Sequence, residues 1–200
     1  MTEAGRAVRE IATRIVYWGP RGSGKTATLR SLSERLDPET RGPLLAPSDE
    51  DGRTLLMDFL SVEMGALDGI PVRLHLVGLP GDSRLAEDTL TMLRGADGFV
   101  FVADSAADRR AENRAALESL RRHLVATGQP DRPVVLQLNR RDVAGAVPAE
   151  ELAAELAPAG DHEWFETVAP EGRGVVEALT AIAARAIDRL SAAAEERSGA

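Results

Sequence analysis

Residues 19 to 26 read Gly19-Pro20-Arg21-Gly22-Ser23-Gly24-Lys25-Thr26, between an apolar run from Ile11 to Trp18 and a helical pattern from about Gly24 to Leu36. Every fixed position of GxxxxGK[ST] is filled, at the point where a strand turns into a helix, and that context gives the motif its meaning. The glycines let successive backbone N–H groups turn inward as an anion nest. The helix they open adds the positive end of its dipole. Lys25 places a point charge for the β- and γ-phosphates of a nucleotide, and Thr26 offers a hydroxyl to Mg2+. Gly19, Gly22, Ser23, Gly24, Lys25, Thr26 and, in the first helical turn, Ala27 are therefore candidate nucleotide contacts. The motif specifies phosphate and is silent about the base.

Such a unit must sit in an α/β fold, and the rest of the chain agrees. Short apolar runs alternate with longer helical patterns. Asp97–Asp104 (DGFVFVAD) and Pro133–Asn139 (PVVLQLN) are almost continuously apolar, as strands covered on both faces are. Leu55–Glu63 and Pro71–Val77 read as strands joined through Asp68-Gly69, a pairing that favours a hairpin turn and so one antiparallel pair. Residues 37–53 hold Pro38, Gly42, Pro43, Pro47 and Gly52 and read as a long loop, the kind that usually carries function. A charged amphipathic helix is predicted over 105–126, with Leu117, Leu120, Leu124 and Val125 on its apolar side. Glu163–Val168 reads as a last short strand. A final helix from about Gly174 to Glu196 carries Val175, Leu179, Ile182, Ala186, Ile187 and Leu190 on one stripe. The predicted fold is a P-loop NTPase, an open and mostly parallel six-stranded sheet with helices on both faces. Ligands of such sheets sit beyond the carboxyl ends of the strands.

Composition removes several classes of function. The 200 residues suit a single domain over 1–200, with 1–8 and 192–200 expected to be flexible. Lys plus Arg is 24 and Asp plus Glu is 32, a net charge of −8, which disfavours general attraction to nucleic acid. With no Cys there is no disulfide, thiolate metal site or cysteine nucleophile. No apolar stretch approaches the roughly 20 residues that span a bilayer, so direct membrane insertion is not expected and a cytoplasmic location is.

The base is read from Asn139-Arg140-Arg141-Asp142, at the end of a buried strand. A carboxylate there accepts from both the N1–H and the exocyclic amino group of guanine, and adenine has no matching pair of donors. A site built on such hydrogen bonds discriminates strongly. Asn139 is expected to tie this loop to the phosphate loop. After the sixth strand, a backbone N–H in Val168-Ala169-Pro170 is expected to reach the guanine carbonyl, which adds Ala169 and Pro170 to the candidate contacts.

In this order, GPRGSGKT, NRRD and ETVAP resemble a Ras-like small GTPase. The chain is more closely similar to the bacterial MglA subfamily of cell-polarity and gliding-motility GTPases. RIVYWGPRGSGKT at 14–26, GRTLLMDFL at 52–60, RLHLVGLPGD at 73–82, GADGFVFVADS at 95–105, LNRRD at 138–142 and VAPEGRGV at 168–175 carry the likeness, over about residues 9 to 190. The resemblance implies a GTP/GDP switch, effector proteins that bind it, and a Roadblock-type (MglB-like) regulator that acts as GTPase-activating protein at a cell pole. By position it makes Arg53 the intrinsic catalytic arginine, which neutralises charge on the transferring phosphoryl group. Thr54 becomes the switch threonine that senses the γ-phosphate through Mg2+, and Asp58 the acidic residue near the metal. Leu55–Leu60 and the flanking loops become the partner surface. The segments Pro47–Thr54 and Gly78–Arg84 are expected to respond to the γ-phosphate.

Departures from the family are informative. Where Ras-like proteins carry DxxGQ this chain has Gly78-Leu79-Pro80-Gly81-Asp82. Gly81 keeps the N–H expected to meet the γ-phosphate. Asp82 stands for the catalytic Gln. A carboxylate only accepts, and near the γ-phosphate it is repelled, so slow hydrolysis is expected; as an alternative, Asp82 caps a helix beginning near Ser83. Arg140 replaces the usual Lys and keeps its aliphatic stem. Three functions stay open: a GTPase switch, a nucleotide-binding scaffold without significant turnover, and an ATP-using kinase or ATPase, which Asp142 disfavours. His75, His123 and His162 show no metal-ligand spacing, and Trp18 reads as packing. Arg109-Arg110 and Arg121-Arg122 read as the solvated face of a helix, offset by its own acids.

Overall fold

Strands β1 (Ile11–Trp18), β2 (Asp58–Leu67), β3 (Ile70–Gly78), β4 (Gly98–Asp104), β5 (Val134–Asn139) and β6 (Trp164–Glu166) make one sheet in the order β2-β3-β1-β4-β5-β6. The computed structural model describes residues 10–47, 57–67, 69–80, 87–157 and 162–198. All pairings are parallel except β2 with β3, the hairpin anticipated at Gly69. The helices are α1 (Lys25–Arg35), α2 (Glu87–Arg94), α3 (Arg110–Ala126), α4 (Ala149–Leu156) and α5 (Val175–Ser198). This is the Ras-like α/β architecture that the sequence implies.

Every residue of β4 and β5 is buried, because helices cover both faces. Alternation splits their side chains. Phe99, Phe101 and Ala103 join Leu93, Leu117, Leu120, Leu152 and Leu156 under α2, α3 and α4. Val100 and Val102 join Leu29, Leu32, Val175, Leu179 and Ile182 under α1 and α5. At Gly98 an added Cβ would lie 2.9 Å from Ile182 Cδ1, so α5 crosses the sheet where no side chain intervenes.

Several details differ from the sequence reading. The described part of the long loop runs along the outer edge of β2. Leu45 and Phe59 exchange both backbone hydrogen bonds, at 2.9 and 2.7 Å, and Gly42 N–H donates to Ser61 at 2.9 Å. This pairing covers an edge that would otherwise be bare. Helix α4 was not anticipated. Val125 is 67 % exposed and lies off the apolar stripe of α3. The last strand stops at Glu166, and Val168 instead bridges to Arg173.

Arg109 pairs with Glu112 of α3 at 3.0 Å, as expected, whereas Arg110 finds its acids on α4. Arg110 bonds Glu155 and Glu151 of α4, each at 2.7 Å, and Arg114 also reaches Glu155. Burial pushes the Glu155 carboxyl up, but the hydrogen bonds from Arg110 and Arg114 outweigh it and hold the group below its ordinary range. Arg121 donates to the Leu156 carbonyl at 2.9 Å. Trp18 packs as expected: its ring is buried and its Nε1 donates to Ala116 at 2.9 Å. Among the described residues, no helix is long and apolar enough to cross a membrane and no cluster of acids and histidines suits a metal.

Candidate functional site

The carboxyl ends of β1, β3, β4 and β5 bring Trp18, Gly78, Asp104 and Asn139 to one edge of the sheet. Since β2 runs the other way, its first residue, Asp58, reaches that edge opposite Gly78. The loop from Gly19 to Gly24 crosses this edge and opens α1. Gly19 has φ of +152°, and a Cβ there would stand 2.2 Å from the Val102 carbonyl oxygen; Gly24 has φ of +104°, and a Cβ would stand 2.1 Å from Asn139 Nδ2. Only glycine lets the loop lie this close to β4 and β5.

The loop has the features of an anion cradle. Helix α1 has no acid in its first turn and no side-chain cap at Gly24, so its N-terminus presents the positive end of its dipole to the loop. Lys25 is 7 % exposed, and its Nζ donates to the carbonyls of Gly19 at 2.8 Å and Pro20 at 2.9 Å, which draws the ammonium across the loop. Ser23 Oγ is buried without a hydrogen-bond partner among the described residues. Space is open around Gly22, where φ is +76°.

Beside the cradle, Thr26 Oγ1 donates to Asp58 Oδ2 at 2.6 Å, and Asp58 is 2 % exposed. A hydroxyl and a carboxylate side by side are the hard oxygen donors that Mg2+ takes. Gly78 contributes by being small. A Cβ there would fall 3.1 Å from Asp58 Oδ2 and 3.0 Å from Leu29 Cδ1. The carboxylate thus occupies the space in front of a position that has no side chain.

Asn139 links three segments. Its Nδ2 donates to the Ser23 carbonyl at 2.7 Å, and its Oδ1 accepts from Thr167 Oγ1 and from Ala169 N, each at 3.0 Å. Ala169 is fully buried, and its N–H is spent on Asn139; Pro170, exposed, has none to give. The N–H groups of Val168 and Glu171 are likewise bonded within the loop. The donor expected to face a guanine carbonyl is therefore committed inside the protein. Arg140 takes φ of +63°, and Arg141 is anchored to Glu166 at 2.8 Å and to the Val147 carbonyl at 2.6 Å. Asp142 is left exposed at the tip.

Two residues without a role in the sequence reading enter here. Asp104 accepts from Arg140 at 3.0 Å, and Arg109 donates to the Arg21 carbonyl of the phosphate loop at 2.6 Å. The sequence signal for Asp104 was a carboxylate closing a wholly apolar strand. Nothing local pointed Arg109 at residue 21. Arg53, Thr54, Gly81 and Asp82 lie outside the described residues. Of the histidines, His75 packs edge-on to Phe59, and the His123 ring lies 6.5 Å from that of Trp18.

The chain is 40 % identical over 177 residues to the mutual gliding-motility protein MglA of Myxococcus xanthus (strain DK1622), a match covering 88 % of this chain and 90 % of that protein. No protein-family model matches the chain.

Proposed function

Since the chain belongs to the MglA family of Ras-like small GTPases, we propose that it is a GTP/GDP switch that controls cell polarity or motility through effector proteins. The observation that carries this reading is Asn139, which joins the phosphate loop to the loop after β6 and so ties the segments of Lys25 and Asp142 together at one edge of the sheet.

At that edge Lys25 and the N–H groups of 22–27 would hold the phosphates. Arg140 would cover one face of the base with its stem, Asp142 would read its edge, and Ala169 and Pro170 would close the far side by packing. Thr26, Asp58 and Thr54 would hold Mg2+, which when bound neutralises phosphate charge. Asp58 then supplies from β2 the carboxylate that Gly78 lacks. Arg53 would stabilise charge in the transition state, and Gly81 would contact the γ-phosphate. The segments 47–54 and 78–84 carry the response to nucleotide, so a Roadblock-type, MglB-like regulator and effectors would dock around them. We assign the whole of 1–200 to one domain, cytoplasmic and brought to a pole by partners.

The test is titration of the purified protein with fluorescent GDP and GTP in Mg2+, with ATP as competitor. Guanine nucleotide that ATP does not displace supports the switch, and equal displacement by ATP would sink it. Asp82 favours a second reading, a nucleotide-binding scaffold without significant turnover. Asp82→Gln is expected to raise GTP hydrolysis several-fold, because an amide can both donate to and accept from the attacking water. No change, or a fall, in single-turnover assays would show that Asp82 is not the limiting defect.

A further inference from the structure

Asp104 is 1 % exposed, and a buried carboxylate is costly unless its charge and lone pairs are met. Here they are met. Oδ1 accepts from Ala106 N at 3.1 Å. Oδ2 accepts from Arg140 at 3.0 Å and lies 3.7 Å from Arg109 Nε. The residue cannot swing away, because Asn113 of α3, itself fully buried, brackets its backbone: Asp104 N donates to Asn113 Oδ1 at 3.0 Å and Asn113 Nδ2 donates to Asp104 O at 2.8 Å.

One fixed oxygen thus lies between two guanidinium groups, of which Arg109 also pairs with Glu112 at 3.0 Å. The two serve different loops. Arg109 donates its other end to the Arg21 carbonyl at 2.6 Å, in the phosphate loop. Arg140 belongs to the loop that carries Asp142 and is held in a left-handed turn. Their charges reach water, at 27 % and 47 % side-chain exposure, so neither needs Asp104 for solvation. What Asp104 gives them is position.

We propose that Asp104 is a positioning residue for nucleotide retention, a shared anchor through which Arg109 and Arg140 hold the phosphate loop and the base-reading loop at a fixed separation. The inference rests on the guanine-nucleotide reading above. Asp104→Asn keeps the shape and the bond from Ala106 but removes the charge, so the two arginines part and both loops loosen.

The experiment is dissociation of fluorescent GDP from the full chain, with the melting temperature of each variant measured alongside. Asp104→Asn is expected to release GDP about tenfold faster, a modest effect for a charge pair because both arginines are partly hydrated. Arg109→Gln, which leaves the core untouched, is expected to release it about threefold faster without a change in melting temperature. On an Arg109→Gln/Arg140→Gln background, Asp104→Asn should add less than about twofold, since its partners are gone. A further full acceleration on that background would overturn the inference, because Asp104 would then act through stability alone. An unchanged rate in Asp104→Asn, with GDP still bound tightly by the unaltered chain, overturns the inference and spares the switch. Failure of the unaltered chain to bind GDP overturns both.

Discussion

Lys25→Ala removes the thermal stabilisation that GDP confers on the unaltered chain. The Lys25 ammonium is nearly buried, and the carbonyls of Gly19 and Pro20 hold it across the loop. A di- or triphosphate held by the loop would add a charge-assisted partner of a kind that neutral carbonyls do not supply. Truncating one member of such a desolvated charge pair costs about 3–4 kcal/mol, or roughly two to three decades in Kd. The folded chain itself should change little. Two carbonyls lose a donor, but the cost of burying a cation disappears with it. At a GDP concentration about one hundred times the Kd of the unaltered chain, binding adds about 2.7 kcal/mol. For a domain of this size that is roughly 5–10 °C. Thermal melts with and without GDP check this: the unaltered chain should shift by that amount and Lys25→Ala by about none. An equal shift in both would place the nucleotide somewhere other than this loop.

The parts of this molecule legible from sequence are those in which a local signal and a long-range one coincide. The phosphate loop is spelled by spacing alone, and β4 and β5 are spelled by unbroken apolar runs that only a covered sheet can use. The hairpin is legible because Asp68-Gly69 sits between two strand patterns. What escaped has a common cause. Arg41–Leu45 pairs with β2 through backbone N–H and C=O groups that any sequence carries, so no side chain announces it. Helix α4 is eight residues of Ala, Glu and Leu, too short for its period to stand out beside the prolines and glycines around it. Arg110 faces α4 because two helices lie side by side, a fact of tertiary structure. Asp104 and Arg109 were visible as residues, but their meeting with Arg21 and Arg140 depends on the sheet order that sets β4 between β1 and β5. The bond from Ala169 N–H was not legible because Asn139 has two ends, and its oxygen accepts from that donor while its amide donates to the Ser23 carbonyl.

Asp142→Asn should exchange the base rather than abolish binding. Asp142 stands exposed after a turn fixed from both sides: Arg141 is tied to Glu166 and Val147, and Arg141 N–H donates to the Thr167 carbonyl at 3.2 Å. The substitution therefore leaves the fold and the melting temperature as they are. It alters the hydrogen-bond code alone. A carboxylate accepts from both the N1–H and the 2-amino group of guanine. An asparagine amide still accepts with its oxygen but turns an N–H donor toward the 2-amino group, which is also a donor. One charge-assisted bond is weakened and another becomes a clash, which together cost about 3 kcal/mol, or about a hundredfold in GDP affinity. Xanthine carries a carbonyl where guanine carries that amino group, so the new donor finds an acceptor, and xanthosine diphosphate should bind Asp142→Asn more tightly than GDP does. ATP should stay weak in both proteins, because adenine offers neither pattern. Competition of GDP, xanthosine diphosphate and ATP against one fluorescent nucleotide measures all three on the same scale. If GDP binds Asp142→Asn as it binds the unaltered chain, Asp142 does not read the base. Guanine selectivity would then have to come from the packing of Arg140, Ala169 and Pro170, which contact faces and edges without distinguishing donors from acceptors.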